Sequence, residues 1–384
     1  MARWIRNIAV IGLLAAFLMP AIGFAVNMVR GSDGVSTTEK RLLAQMPSFD
    51  GDARTYTTEF DQFLEDNFGF RMIMIRMARK IKDNLGEDPP QVVTGQDGWL
   101  FLGSNAYRDE FEGHGRWDAS NVQTWVDSLS EVKTTLAEQG IPFAAFVAVD
   151  KARAYPEKLP VDWREGDRRF RTALHMRADF TQTGLIDAEP FVQSAKERGK
   201  QTFYLRDTHW TSDGTYDLAM ELMDIFDPSV TRPRFLPDPP VEQPADRLFD
   251  LEAMAGFETS EEPTHMMIKF PPTRPNFRAS ITLLEDGTPD PGQFATLRIL
   301  GTEDAPQGTL VIVGDSFGDA MLGHFRPSYS EIIRIHHGAH FKNVALEEAL
   351  AYNPDAVLFA TAERQAVRKD RPFAPLHPET TAPE

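Results

Sequence analysis

Hydrophobic residues in the middle of the chain follow two patterns that alternate. From 122 to 136 they recur every three or four positions, which predicts an amphipathic helix ending near Gly140. The run PFAAFVAV at 142–149 is apolar throughout, as are TLVIVG at 309–314, EIIRI at 331–335 and AVLFA at 356–360. Such runs are typical of strands buried on both faces. Strands of this kind alternating with helices predict a mostly parallel sheet between two helical layers.

Shorter segments fit the same scheme. VVTG at 92–95, QDG at 96–98 and WLFL at 99–102 place an Asp-Gly pair between apolar runs, which predicts a hairpin. Further along, the pattern predicts a helix at about 189–198 and a short strand at 202–205. A second helix follows it, capped by Ser212 or Asp213 and running to Phe226. VALEEALAY at 344–352 predicts another helix.

The same patterning divides the chain into regions. Residues 1–30 combine Arg3 and Arg6 with an apolar run from Ile8 to Val26, close to the ~20 residues that span a bilayer. They predict an N-terminal membrane helix, with a cleaved signal peptide as the alternative. We expect a tether and helical region at 31–90, a catalytic domain at 91–371 with an inserted segment at 227–300, and a disordered tail at 372–384. The domain would lie in an exported compartment.

Composition narrows the classes of function. The chain has 384 residues and a formal net charge of −17, which argues against a nucleic-acid partner. It has no cysteine, so disulfides, thiolate metal sites and a cysteine nucleophile are excluded. Nothing in the sequence indicates a cofactor.

The first candidate for chemistry is Gly314-Asp315-Ser316, at the end of the run TLVIVG. A serine on a turn after a buried strand exposes its hydroxyl and leaves backbone N–H groups free, as an acyl-transfer nucleophile requires. A turn in which Asp315 and Ser316 only cap a helix is the alternative. Gly314-x-Ser316-x-Gly318 also fits the nucleophile elbow of α/β-hydrolases. In that fold the acid and then the histidine follow the serine in sequence, and few residues after Ser316 could supply them.

The second candidate is the pair Asp207-x-His209 in LRDTHW. Residues at positions i and i+2 of an extended segment point to the same side. The carboxylate of Asp207 could therefore orient the imidazole of His209 and stabilise its protonated form. His209 would then take the proton of Ser316. A hydrogen-bonded surface loop and a metal site remain alternatives. A metal would need more ligands, and His336, His337 and His340 form the one other histidine cluster in the sequence, so we expect no metal.

Four further residues are candidates for substrate binding. Lys151 and Arg153 follow the strand predicted at 142–149, where ligands of parallel sheets bind. Trp210 adjoins His209 and could be either a packing residue or a platform for a sugar ring. Arg334 lies within a late predicted strand.

Several stretches together resemble a known family. FDQFLEDNFGFR, QDGWLFLG, VDKARAYPEKLP, RDTHWTSDGTYDLA, RLFDLEAMAGF and VIVGDSFGDAM occur in the order and spacing of the periplasmic polysaccharide O-acetyltransferases of the alginate J/X type. The resemblance implies a three-layer α/β/α domain like that of SGNH hydrolases, with a permuted strand order. It maps the family's catalytic residues onto Asp207, His209 and Ser316.

The resemblance also implies a function. We expect an O-acetyltransferase that carries acetyl on a serine and passes it to hydroxyls of an exported polysaccharide, alginate or another. A membrane-bound acyltransferase would supply the acetyl, and the N-terminal helix would anchor the enzyme at the periplasmic face of the inner membrane. The alternatives are a carbohydrate acetylesterase with the same triad and a non-catalytic polysaccharide-binding protein of an export complex.

Overall fold

The computed structural model describes residues 91–227, 249–257, 296–302, 308–336 and 344–374, together with shorter stretches between 35 and 63 and within 241–306. The chain divides into two compact units, Met1–Pro89 and Pro90–Glu384. In the first unit, Val35–Ser36 pairs antiparallel with Arg41–Leu42. No helix among the described residues is long and apolar enough to cross a membrane. The anchor predicted at 1–30 and most of the tether and helical region predicted at 31–90 lie outside the described residues.

The second unit begins with the predicted hairpin. Its two strands, β1 (Val92–Thr94) and β2 (Leu100–Leu102), pair antiparallel around a 3-10 turn at Gln96–Gly98. The elements that follow up to the central part of the chain are α1 (Asn105–Phe111), α2 (Ala119–Glu138), β3 (Phe143–Ala148), α3 (Lys151–Ala154), α4 (Phe170–Arg177), α5 (Phe180–Thr183), β4 (Leu185–Asp187), α6 (Glu189–Glu197) and α7 (Ser212–Phe226).

The remaining elements come after α7. They are α8 (Asp250–Ala255), β5 (Thr296–Leu300), β6 (Thr309–Gly314), α9 (Ser316–Asp319), α10 (Leu322–Phe325), β7 (Glu331–His336), α11 (Leu346–Leu350), β8 (Ala356–Ala362) and α12 (Glu363–Ala366). A two-residue pairing, Val241–Glu242 with Met266–Met267, lies between α7 and β5. The strands and helices predicted from the long apolar and amphipathic runs are therefore present.

One six-stranded sheet, in the order β4-β3-β8-β6-β7-β5, forms the centre of this unit. All neighbouring pairs are parallel except β5 with β7 at one edge. In β3 and β8 every residue is buried, because helices cover both faces. The prediction of a three-layer α/β/α domain with a mostly parallel sheet is confirmed.

The alternation of side chains along the strands builds two cores. Ala144, Phe146, Ile312 and Leu358 point to one face, where they pack with α6, α7 and Phe317. Their neighbours point to the other face and pack with α2 and α11. The GDS segment at the end of β6 thus lies next to the two central strands β8 and β7, at the end of the sheet where parallel folds bind ligands.

Three sequence predictions need correction. The strand predicted at 202–205 is not in the sheet; it makes one isolated antiparallel bridge, Phe203 to Trp210, because the chain turns back on itself there. The region predicted as an insertion at 227–300 contributes β5 to the sheet edge. The tail predicted from 372 packs as far as Ala374, since Phe373 is fully buried between Phe143 and Phe359. Residues 375–384 lie outside the described residues.

Candidate active site

Ser316 stands at the junction between the central strand β6 and the short helix α9. A Cβ on Gly314 would lie 2.5 Å from the carbonyl oxygen of Ala360, so the close approach of β6 to β8 requires glycine at this position. Asp315 then caps α9 by accepting the Phe317 N–H at 2.9 Å, and its second oxygen accepts the Ala362 N–H at 2.8 Å. The carboxylate of Asp315 is therefore structural, and it fixes the turn that presents Ser316 at the surface.

Asp207 and His209 lie in a tight loop at 202–211. Its two ends are joined by backbone hydrogen bonds, from Tyr204 N–H to His209 O at 3.2 Å and from Thr211 N–H to Thr202 O at 2.9 Å. Within the loop, the Asp207 carboxylate accepts the backbone N–H of His209 at 3.0 Å. This local bond turns both side chains to the same side without an extended strand.

The structure brings the three predicted catalytic side chains into one chain of hydrogen bonds. His209 Nε2 lies 2.6 Å from Ser316 Oγ, and His209 Nδ1 lies 2.5 Å from Asp207 Oδ1. Since the carboxylate only accepts, Nδ1 carries the proton and Nε2 is free to accept the proton of the serine. Asp207 is buried, whereas Ser316 and His209 remain partly exposed to solvent. The arrangement can activate a serine for attack on an acyl group.

The electrostatics of Asp207 suit an orienting role. Burial by itself raises the pKa of this carboxyl group, but its hydrogen bond and charge interaction with His209 outweigh burial. A further hydrogen bond from the Asp250 N–H, at 3.2 Å from Oδ2, acts in the same direction. The pKa of Asp207 therefore lies well below its ordinary value, and the side chain stays ionised while the imidazole gains and loses a proton.

Buried contacts hold the loop in place. Lys151 Nζ donates to three carbonyl oxygens, those of Leu100 at 2.7 Å, Leu205 at 2.8 Å and Asp207 at 2.9 Å. Burial lowers the pKa of Lys151 to about 7, against the opposing effect of nearby carboxylates. On the other side, Glu262 accepts the backbone N–H groups of Leu205 at 2.8 Å and Arg206 at 2.5 Å. The loop is thus clamped between α3, the hairpin and a segment that follows α8.

Trp210 connects this loop to the serine. Its indole N–H donates to the carbonyl oxygen of Phe317 at 3.1 Å, and its ring packs against that of Phe317 with centroids 5.2 Å apart. The histidine loop and the serine turn therefore share a rigid contact immediately beside the Ser316–His209 hydrogen bond.

The four residues predicted to bind substrate lie inside the protein, which corrects that prediction. Lys151 and Trp210 are buried and hold the loop as described above. Arg153 is buried, donates to Glu110 O at 3.0 Å, and lies 3.3 Å from a carboxylate oxygen of Glu363. Arg334 is also buried, with its Nε 2.8 Å from Asp319 Oδ1, and so joins β7 to α9. Lys151, Arg153 and Arg334 therefore bind polar or charged groups of the protein and do not face a groove.

Two features bear on the rest of the chemistry. The backbone N–H of Ser316 makes no hydrogen bond within the described part of the chain, so it is free to donate to an oxyanion.

Asp207, His209 and Asp250 place one ligand-type atom each within 4.8 Å of one another. However, Asp207 Oδ1 and His209 Nδ1 are bonded to each other at 2.5 Å, and Nε2 faces Ser316. These hydrogen bonds occupy the atoms that a metal ion would need.

Sequence reasoning missed Asp250 and Glu262. Both follow α7 in the part of the chain predicted as an insertion, more than 40 residues after His209, yet both hydrogen-bond to the loop at 202–211. The one local signal was the segment FDLEAM, which indicates a helix start and nothing about the loop it contacts. Of the other histidines in the predicted cluster, His336 ends β7, and His337 and His340 lie outside the described residues.

Comparison with known proteins finds a matching family model. Residues 92–331 match the family model described as "SGNH hydrolase-like domain, acetyltransferase AlgX". A curated relative, "Probable alginate O-acetylase AlgJ" of Pseudomonas fluorescens, is 31% identical over 137 residues, which cover 35% of this chain and 33% of that protein. The match thus spans about a third of that relative's length.

A solved structure of low sequence identity shares the fold. A DHHW family protein from Eubacterium siraeum has a TM-score of 0.51 at 15% identity, over 74% of this chain and 97% of that one. The O-acetyltransferase domain of Pseudomonas putida AlgJ is 19% identical with a TM-score of 0.42, over 73% of this chain and 93% of that one. The matched range, 92–331, covers more than half of the sequence. The chain therefore belongs to the family of SGNH hydrolase-like acetyltransferase domains of the AlgX type.

Proposed function

We propose that the protein is a serine-dependent O-acetyltransferase that moves acetyl groups onto hydroxyls of an exported polysaccharide. The observation that carries this proposal is the continuous hydrogen-bond chain from Asp207 through His209 to Ser316, with distances of 2.5 and 2.6 Å. Membership of the acetyltransferase family and the name of the AlgJ relative support the choice of acetyl group and polymer.

In the first half-reaction Ser316 Oγ attacks the carbonyl carbon of an acetyl donor, and its proton passes to His209 Nε2. Asp207 stabilises the imidazolium, and the free N–H of Ser316 donates to the developing oxyanion. Collapse of the tetrahedral intermediate transfers the proton from His209 to the leaving group. The products are acetyl-Ser316 and the deacetylated donor, which carries the proton from His209.

In the second half-reaction a sugar hydroxyl attacks acetyl-Ser316. His209 Nε2 takes the hydroxyl proton and returns it to Ser316 Oγ, so the enzyme is restored and the sugar carries the ester. Asp207 and His209 thus serve both steps without changing position. The partly exposed serine at the open end of the sheet is accessible to a polymer that lies across the surface.

The cellular location and the source of the acetyl group are part of the same proposal. The apolar run from Ile8 to Val26, preceded by Arg3 and Arg6, supports a periplasmic enzyme anchored to the inner membrane. A membrane-bound acyltransferase beside it would deliver the acetyl group, since acetyl donors of the cytoplasm must cross the membrane to reach Ser316.

An experiment that measures whether the acetyl group is transferred to sugar or to water tests the function. Incubated with a chromogenic acetyl ester and acetyl-free oligosaccharides of different sugars, the protein is expected to release the chromophore faster when an acceptor is present. Mass spectrometry should find the acetyl group on the sugar. Release that is unaffected by acceptor, with free acetate as the product, would identify an esterase. Binding of oligosaccharide without any ester turnover would identify a non-catalytic polysaccharide-binding protein.

A further inference from the structure

Asp250, the first residue of α8, lies against the catalytic pair and has no role in the proposed triad. Its Oδ1 accepts the Thr208 N–H at 2.8 Å, and its Oδ2 accepts the Thr208 hydroxyl. Its own N–H donates to Asp207 Oδ2 at 3.2 Å. The residue is thus fixed by three hydrogen bonds to residues that lie 42 and 43 positions earlier in the sequence.

This position puts a second carboxylate beside the imidazole. Asp250 Oδ2 lies 3.7 Å from His209 Nδ1, on the side of the ring that already faces Asp207. Removal from bulk solvent raises the pKa of Asp250, the negative charge of Asp207 raises it further, and His209 opposes both. The two carboxylates have oxygens within 4.8 Å of each other and so repel. A positive charge on the adjacent imidazole relieves that repulsion.

We propose that Asp250 is a positioning residue that stabilises the imidazolium form of His209 and holds the loop through Thr208. It acts through His209 and contacts neither the acyl group nor the sugar. This role rests on the proposed function, because only a catalytic His209 gains and loses a proton during turnover.

In the part of the chain that the structure describes, the other charged groups around the cluster are Lys151 on α3, Arg364 on α12, Glu262 and Arg206. Lys151 interacts with both carboxylates, Asp207 and Asp250, and with Glu262. Arg364 is paired with Asp150 at 2.8 Å and lies over the Phe317 ring. These groups are unchanged when Asp250 is replaced, so a single substitution isolates the effect of its charge.

Asp250→Asn is the informative substitution. The amide oxygen can still accept the Thr208 N–H, and the Thr208 hydroxyl can accept from the amide nitrogen, so the contacts of the loop persist without the negative charge. We expect kcat/KM to fall about tenfold, mostly in kcat, and the acidic limb of its pH profile to move down by about one pH unit. Asp217→Asn, which removes a partly exposed charge on α7 paired with Arg198, is the matched control and should leave both kcat/KM and the acidic limb unchanged.

A second readout does not depend on turnover. The Cε1–H resonance of His209, assigned by comparison with His209→Ala, should reach its titration midpoint at a pH about one unit lower in Asp250→Asn than in the wild type. An unchanged midpoint would overturn the proposal even if acetyl transfer is confirmed. A shifted midpoint in a protein without transferase activity would support the Asp250–His209 interaction and contradict the proposed function.

Two further outcomes count against a purely electrostatic role. If Asp250→Asn loses activity in parallel with its thermal stability and keeps the wild-type pH limb, Asp250 only supports the fold. If dialysis against EDTA abolishes wild-type activity and a divalent cation restores it, Asp250 is a metal ligand. Either result would contradict the proposal.

Discussion

Replacement of Ser316 by alanine is expected to reduce acetyl transfer by about 10⁴-fold or more, to the level of background hydrolysis. Among the residues that the structure describes, Ser316 Oγ is the one hydroxyl within hydrogen-bond reach of His209 Nε2. The Thr208 hydroxyl lies 3.4 Å from the opposite nitrogen, Nδ1. Without the Ser316 hydroxyl no acyl-enzyme can form. Initial rates with a chromogenic acetyl ester provide the measurement.

The fold should survive this change. Ser316 is partly exposed, and the turn around it is held by the backbone and by Asp315, so the melting temperature should remain close to that of the wild type. Ser130→Ala on α2, which removes a partly exposed serine away from the site, should keep full activity. A Ser316→Ala protein with more than a tenth of wild-type activity would contradict a serine nucleophile.

Replacement of Asp207 by asparagine is expected to lower kcat by about 10³–10⁴-fold while substrate binding changes little. Asp207 Oδ1 accepts from both the Nδ1 and the backbone N–H of His209, and Oδ2 accepts from Asp250 N–H. Asparagine offers one oxygen for these three donors. Its NH₂ group must face a donor or force the imidazole into the tautomer with the proton on Nε2, which cannot accept the serine proton.

Kinetics at several pH values separate this effect from a loss of structure. Because the wrong tautomer persists across the accessible range, the loss in kcat should not be restored at higher pH, and circular dichroism should match the wild type. Asp217→Asn again provides the control with the same loss of charge. Activity within tenfold of the wild type would indicate that Asp207 only caps the loop.

The alternation of helices and strands could be predicted because it depends on local periodicity. β3, β6 and β8 are buried on both faces and therefore read as continuous apolar runs, and α2 shows its buried stripe at helical spacing. The segment at 202–205 contains residues of the same kind, but its Phe203 pairs across a tight turn with Trp210 instead of joining the sheet. Composition alone does not distinguish these two kinds of pairing.

The triad could be predicted because Asp207 and His209 are neighbours and Ser316 follows an obvious strand. The surroundings could not, because they depend on partners far apart in the chain. Lys151 and Arg153 follow a strand as ligand-binding residues do, but their partners are Leu100, Asp207 and Glu363, and these partners bury them. An isolated charge in a sequence gives no indication of whether a distant residue will neutralise it.

The central claim is that acetyl passes through Ser316, and intact-mass spectrometry of the enzyme tests it most directly. After brief exposure to an acetyl donor without acceptor, followed by acid quenching, the wild-type protein should gain the mass of one acetyl group, and peptide mapping should place it on Ser316. Addition of the acceptor oligosaccharide before quenching should remove the adduct and yield acetylated sugar. An adduct on another residue, or acetylated sugar formed equally well by Ser316→Ala, would contradict the account.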